Sequence, residues 1–118
     1  MQTLHLDLGE RSYPIYIGNN LLHKKDLLVQ HIVGHRVAIV SNEKVAPLYL
    51  NEIEKALSDF DCINIVLPDG EKYKNITTLN KIFDQLLENR CDRRVTLVAL
   101  GGGVVGDMPG FAAACYQR

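Results

Sequence analysis

The sequence predicts an α/β fold, a mostly parallel sheet with helices on both faces and an antiparallel hairpin at the amino terminus. Three observations predict it. Short, wholly apolar runs alternate with stretches of helical period. The first two runs instead alternate apolar and polar residues on either side of a turn. One apolar run ends directly in three glycines that lead into a further helix-like stretch. Buried strands separated by helices imply right-handed crossovers, and so a Rossmann-like layer.

The elements follow in order. Leu4, Leu6 and Leu8 alternate with His5 and Asp7, the period of a half-buried strand. Gly9-Glu10-Arg11-Ser12 reads as a turn into a second strand over 13–17, and Pro14, which has no N–H, places that strand at an edge. After Gly18-Asn19-Asn20 a helix is predicted over 21–33, with Leu21, Leu28 and Ile32 on its apolar face and Gly34 ending it. Residues 37–40 are all apolar, as in a strand covered on both sides, and Ser41-Asn42-Glu43 reads as a loop. A helix over 47–59 carries Tyr49, Ile53, Leu57 and Phe60 at helical spacing, with Pro47 near its first turn. A strand over 63–67 is punctuated by Pro68-Asp69-Gly70. Asn75 has the chemistry of an N-cap for a helix whose face is Ile76, Leu79, Ile82, Phe83 and Leu86. Cys91-Asp92-Arg93-Arg94 forms a polar connection to an apolar strand over 95–100, and a last helix is expected over 107–116.

Composition narrows the function classes. With 118 residues, the chain is one domain or a piece of one. Its 13 basic and 14 acidic residues leave a formal charge of −1, which argues against a nucleic-acid partner. The three cysteines form no CxxC pair and read as reduced, buried small apolar residues of a cytosolic protein. There is no secretory signal pattern and no apolar run of about 18 residues, so a soluble, cytoplasmic protein without a membrane partner is expected.

The segment 97–107 is the most informative. An apolar strand runs into Gly101-Gly102-Gly103, and glycine allows a sharp turn and close approach of backbone to a ligand. Amides at the following helix end suit a diphosphate. The spacing is not GxGxxG, so the standard dinucleotide fingerprint does not apply. Close packing at a strand-to-helix corner would also account for the glycines. Asp107 reads either as the N-cap of the last helix or as a carboxylate for a cofactor hydroxyl.

Gly101-Gly102-Gly103-Val104-Val105-Gly106-Asp107, followed by Gly110-Phe111-Ala112-Ala113-Ala114 and Tyr116-Gln117-Arg118, closely resembles the glycine-rich signature of the 3-dehydroquinate synthases. Leu67-Pro68-Asp69-Gly70-Glu71-Lys72-Tyr73-Lys74 is similar to that family's second NAD-contacting loop, and Gly9-Glu10-Arg11-Ser12-Tyr13-Pro14-Ile15 to its amino-terminal hairpin. The resemblance implies a two-domain enzyme of which residues 1–118 are an incomplete NAD-binding domain. A helical domain holding a divalent metal, zinc or cobalt, would follow. It implies conversion of 3-deoxy-D-arabino-heptulosonate 7-phosphate to 3-dehydroquinate and phosphate, the second step of the shikimate pathway. NAD acts catalytically there: a hydroxyl is oxidised, phosphate leaves, the ketone is reduced again, and the product closes by an aldol step. Family members are generally homodimers. Another sugar-phosphate cyclase, a glycerol-dehydrogenase-like NAD enzyme and a nucleotide-binding module without catalysis are the alternatives.

Carried over position by position, the resemblance assigns Asp69, Gly70, Glu71, Lys72, Tyr73 and Lys74 to the loop on the ribose and adenosine side. It places Gly102, Gly103, Val104, Val105, Gly106 and Asp107 on the diphosphate and nicotinamide side, and Asn42 near the adenosine. Arg118 matches an arginine for the substrate's phosphate, a bidentate task suited to guanidinium. Pro109 and Cys115 depart from the family's usual small residues, and Pro109 is expected in the first helical turn, where it costs no hydrogen bond. The family's metal ligands fall beyond Arg118. His5, His23, His31 and His35 match none of them, and solvated histidines are expected. No catalytic residue is expected within the chain, nor synthase activity from the chain alone.

Overall fold

The computed structural model describes residues 1–116. Strand β1 (Gln2–Leu6) pairs antiparallel with β2 (Tyr13–Ile17) through a 3₁₀ turn at Gly9–Arg11. Strands β3 (Arg36–Asn42), β4 (Asp61–Leu67) and β5 (Thr96–Leu100) form a separate parallel sheet in the order β4-β3-β5. Helix α1 (Asp26–Val29) precedes β3, α2 (Ala46–Ala56) links β3 to β4, α3 (Ile76–Glu88) links β4 to β5, and α4 (Gly103–Cys115) follows β5.

Central β3 explains the two-faced core. Val37 to Val40 are all fully buried, and successive side chains point to opposite faces. Val37 and Ile39 pack with Ile53 and Leu57 of the α2 segment; Ala38 and Val40 pack with Leu79, Ile82 and Leu86 of α3 and Met108 and Ala112 of α4. Each fully buried Leu or Ile contributes roughly 1.5–3 kcal/mol. At the far end of the sheet, the Tyr116 hydroxyl donates to the Cys91 carbonyl, and the Tyr116 ring stacks on Phe83. That contact anchors the end of α4.

Several expectations are corrected. The hairpin is formed with the expected turn, but its leucines face outward. Register puts Leu4 opposite Ile15 and Leu6 opposite Tyr13, and all four are exposed. The opposite face turns to the body, where the Tyr16 hydroxyl accepts from Gln30 Nε2 at 3.0 Å. The helix predicted over 21–33 is broken into a 3₁₀ turn, Leu21–His23, and the single turn of α1. Residues 23–26 are exposed and polar, so the turn between the apolar ends buries nothing to offset its ordering. Helix α2 buries Ala46 and Ile53 and ends at Ala56, leaving Tyr49 45% exposed off the packed face. Likewise Ile76 is exposed at the start of α3, where the buried residue of the first turn is Thr78.

β5 is an edge strand, so Ala99 is exposed instead of covered on both faces. Cys91 is buried and Cys62 half-buried, as small apolar residues, but Cys115 is exposed. The last helix starts at Gly103, four residues before Asp107, which places Pro109 mid-helix instead of in the first turn. There Pro109 forfeits a backbone bond. Its ring is buried, and apolar contact offsets part of that loss.

Candidate functional site

Strand β3 connects to β4 on one side of the sheet, and the chain then crosses back to add β5 on the other. The crossover direction reverses between β3 and β5, and in open parallel sheets the crevice beyond the carboxyl ends at such a point is where ligands bind. Ser41 and Leu100 are paired at that point, with Ser41 Oγ donating to Leu100 O at 2.7 Å. Asn42 and Leu67 close the neighbouring ends. All three strands therefore deliver their following loops to one rim: 43–45, 68–75 and 101–103.

Only the first glycine of the run is needed for packing. Gly101 has φ +157°, and a Cβ there would lie 3.0 Å from Cβ and Cγ2 of buried Val105. A Cβ on Gly102, Gly103 or Gly106 would meet nothing within 4 Å. Close packing thus accounts for Gly101 and leaves the other three facing open space. Gly102 caps α4, so the amides of Gly103, Val104 and Val105 in its first turn lack intrahelical acceptors, whereas the Gly106 amide bonds to Gly102 O at 3.0 Å. Those amides carry the positive end of the helix dipole toward the rim. Val105 can serve a ligand by its amide alone, because its side chain is the floor under Gly101.

Asp107 lies inside α4, which rules out its reading as the N-cap. Its Oδ2 accepts from Lys74 Nζ at 2.8 Å, across from the loop after β4. The hydrogen bond to Asp107 and its charge push the Lys74 ammonium above its ordinary value. The two segments singled out in the sequence are thus in direct contact. Gly70, at φ +122°, takes the turn into the 3₁₀ segment Glu71–Tyr73, a backbone shape that glycine alone adopts easily. Lys72 sits over the Tyr73 ring at 5.1 Å, and Asn75 Oδ1 accepts from the Thr78 amide at 2.9 Å as the expected N-cap. Beside the ion pair, Ile76, Leu79, Met108 and Phe111 line a cleft of about 440 Å³. A similar hollow along the outer edge of β4 is lined by the charged α3 residues Lys81, Asp84 and Glu88 and has none of the glycine-loop residues in its wall.

Asn42, which the resemblance places near the adenosine, holds the turn after β3 with its side chain. Oδ1 accepts from the amides of Lys44 and Val45 at 3.0 and 2.8 Å, and Nδ2 donates to Asp69 Oδ1 at 3.3 Å. Sequence reasoning missed Glu43 and Lys44. Glu43 Oε1 accepts from the Asp69 amide at 3.3 Å, and Lys44 Nζ lies 3.3 Å from Asp69 Oδ2. No signal in the sequence pairs residues 26 and 25 positions apart on different loops. Arg118 lies outside the described residues.

Residues 64–118 match the family model described as 3-dehydroquinate synthase N-terminal. Over all 118 residues the chain is 66% identical to a 3-dehydroquinate synthase of Pseudomonas entomophila (strain L48), covering 32% of that protein. Against the 3-dehydroquinate synthase of Azotobacter vinelandii (strain DJ / ATCC BAA-1303) the identity is 64% over the same span, again 32% of its length. The resemblance to 3-dehydroquinate synthases holds along the whole chain. It spans about a third of the length of the curated relatives it matches. The fold agrees with solved sugar-phosphate cyclases. A 2-deoxy-scyllo-inosose synthase complexed with carbaglucose-6-phosphate, NAD⁺ and Co²⁺ superposes with TM-score 0.85 at 19% identity, over 99% of this chain and 33% of that one. A 2-epi-5-epi-valiolone synthase from Streptomyces hygroscopicus subsp. jinggangensis 5008, with NAD⁺ and Zn²⁺ bound, gives 0.77 at 28% identity, over 96% and 32%.

Among the described residues, no group of three or more His, Cys, Asp or Glu side chains is placed to hold a metal ion. Among them, too, no helix is long and apolar enough to cross a membrane. All four histidines are exposed.

Proposed function

We propose that residues 1–118 are the NAD-binding amino-terminal part of a 3-dehydroquinate synthase, an enzyme that converts 3-deoxy-D-arabino-heptulosonate 7-phosphate to 3-dehydroquinate and phosphate. The observation that carries the reading is the open space where a Cβ would stand on Gly102, Gly103 and Gly106, at the switch point of a parallel sheet, beside unpaired helix amides. A diphosphate fits that cradle, and an ordinary side chain would obstruct it.

In this reading the amides of Gly103, Val104 and Val105 donate to the diphosphate. Gly102 and Gly106 keep the approach clear, and Gly70 shapes the second loop. Glu71 accepts from the adenosine ribose hydroxyls, with Lys72 and Tyr73 flanking it. Lys74 of the ribose-side loop and Asp107 of the nicotinamide-side segment, already paired, bridge the two. Bound NAD supplies reversible hydride transfer, and the protein's contribution is orientation and electrostatics. By the same resemblance a divalent metal takes part, with its ligands at positions that fall beyond Arg118. Arg118 is assigned to the substrate's phosphate. A cytoplasmic homodimer is the expected state of the full-length enzyme.

The 63–66% identity to dehydroquinate synthases, against 19% and 28% to cyclases making other carbocycles, favours dehydroquinate as the product. Phosphate release coupled to product identification by mass spectrometry tests this. The full-length enzyme with NAD and metal should yield dehydroquinate, and the 118-residue chain alone should show no turnover. A different carbocycle from the first, or turnover by the second, overturns the proposal.

A further inference from the structure

We propose that Glu43 and Lys44 are positioning residues: they fix the Asp69–Gly70 turn and so aim Glu71 at the cofactor, while Asp69 itself serves as a strut. The inference rests on the NAD-binding reading above and concerns how one half of that site is held.

The geometry separates the two carboxylates of the loop. Both oxygens of Asp69 are engaged, Oδ1 by Asn42 Nδ2 at 3.3 Å and Oδ2 by Lys44 Nζ at 3.3 Å. Its amide is engaged as well, by Glu43 Oε1 at 3.3 Å. Two residues before Asp69, Leu67 O accepts from the Glu43 amide at 3.0 Å. Asn42 fixes the clasp from beneath by accepting from the amides of Lys44 and Val45. The turn after β3 therefore grips the turn after β4 by one backbone bond and three side-chain contacts. Glu71, two residues past Asp69, is exposed, and none of the four ion pairs among the described residues uses it. The contacts on both carboxylate oxygens and the amide hold Asp69 in place as a strut, whereas the Glu71 carboxylate beside it makes no ion pair among the described residues and has its full acceptor capacity for a ribose hydroxyl.

Gly70 makes the clasp necessary. Its φ of +122° is a conformation that glycine leaves readily, having no Cβ to hold it there. On its far side the turn is held by the Tyr73 amide, which donates to Gly70 O at 3.1 Å. On its near side the hydrogen bonds to residue 69 restrain the approach to Glu71.

The test is NAD titration into the full-length protein, by calorimetry, alongside thermal unfolding of each variant. Glu43→Ala should raise the NAD dissociation constant about fivefold, the factor carried by one hydrogen bond, with the melting temperature little changed. Glu43→Gln keeps an acceptor for the Asp69 amide and should restore affinity to within about twofold of wild type. Lys44→Met should weaken binding by a few-fold and Lys44→Arg should recover it. Glu71→Ala serves as the internal reference for the site. If Glu71→Ala weakens binding and Glu43→Ala does not, the positioning role is wrong and the NAD site stands. Equal losses in Glu43→Ala and Glu43→Gln, or a loss that tracks a lowered melting temperature, also overturn it. No binding by wild type removes the NAD reading and this inference together.

Discussion

The glycine run offers a way to separate folding from binding within three residues. Gly101→Ala places a methyl 3.0 Å from two carbons of Val105, a side chain only 2% exposed and unable to move aside. It also forces an L side chain to φ +157°, where the backbone alone costs about 1–3 kcal/mol. Overpacking of a rigid neighbour adds about 1 kcal/mol or more. A loss of about 3 kcal/mol is expected, or roughly 10 °C in melting temperature for a chain of this size. Gly103→Ala meets open space in the first turn of α4, so stability should hold within about 0.5 kcal/mol or rise slightly. Gly103→Val, with a larger side chain in the same space, should raise the NAD dissociation constant at least about tenfold, or ~1.4 kcal/mol. Urea unfolding and NAD titration on the same preparations measure both quantities. The reasoning is refuted if Gly103→Val destabilises as much as Gly101→Ala while NAD affinity stays unchanged. The run would then be a packing corner throughout.

Two further outcomes follow from the body of the fold. Asn75→Ala removes the acceptor for the Thr78 amide at the start of α3 and should cost about 1 kcal/mol in urea unfolding, with Asn75→Asp recovering most of it; a neutral Asn75→Ala would mean the cap contributes nothing. Burial, the largest cause, raises the Cys62 and Cys91 thiols and the Tyr116 phenol above their ordinary values. A folded-state value above the unfolded one means these groups stabilise fully below the unfolded value and lose that contribution as pH rises toward the folded one. Thermal stability should therefore be flat near neutrality and fall above about pH 8.5, where unfolded thiols begin to ionise. Cys91→Ala should make that fall shallower, and an unchanged slope would count against the cause given.

Much of the fold was legible because periodicity reports burial. Residues 37–40 read as a doubly covered strand and are fully buried, and Asn75 read as a cap and caps. What failed was whatever depends on partners far along the chain. The hairpin leucines alternate as a buried face does, yet the face packed on the body is the one with Tyr16, held by Gln30. Helix α4 began four residues before its expected start because glycines, poor helix formers, nonetheless continue a turn capped by Gly102. In the site, the two loops were legible as motifs, and their contact through Lys74 and Asp107 was not. Nor was the clasp of Glu43 and Lys44 on Asp69, which joins the ends of adjacent strands that only the sheet order brings together.

A crystal structure of the full-length polypeptide with NAD bound tests the central claim most directly. The diphosphate should lie within hydrogen-bonding distance, about 2.7–3.2 Å, of the amides of Gly103, Val104 and Val105, with the adenosine ribose against Glu71. Density for the diphosphate anywhere else, with these amides bonded only to solvent, would contradict the account and leave the α/β layer without an assigned role.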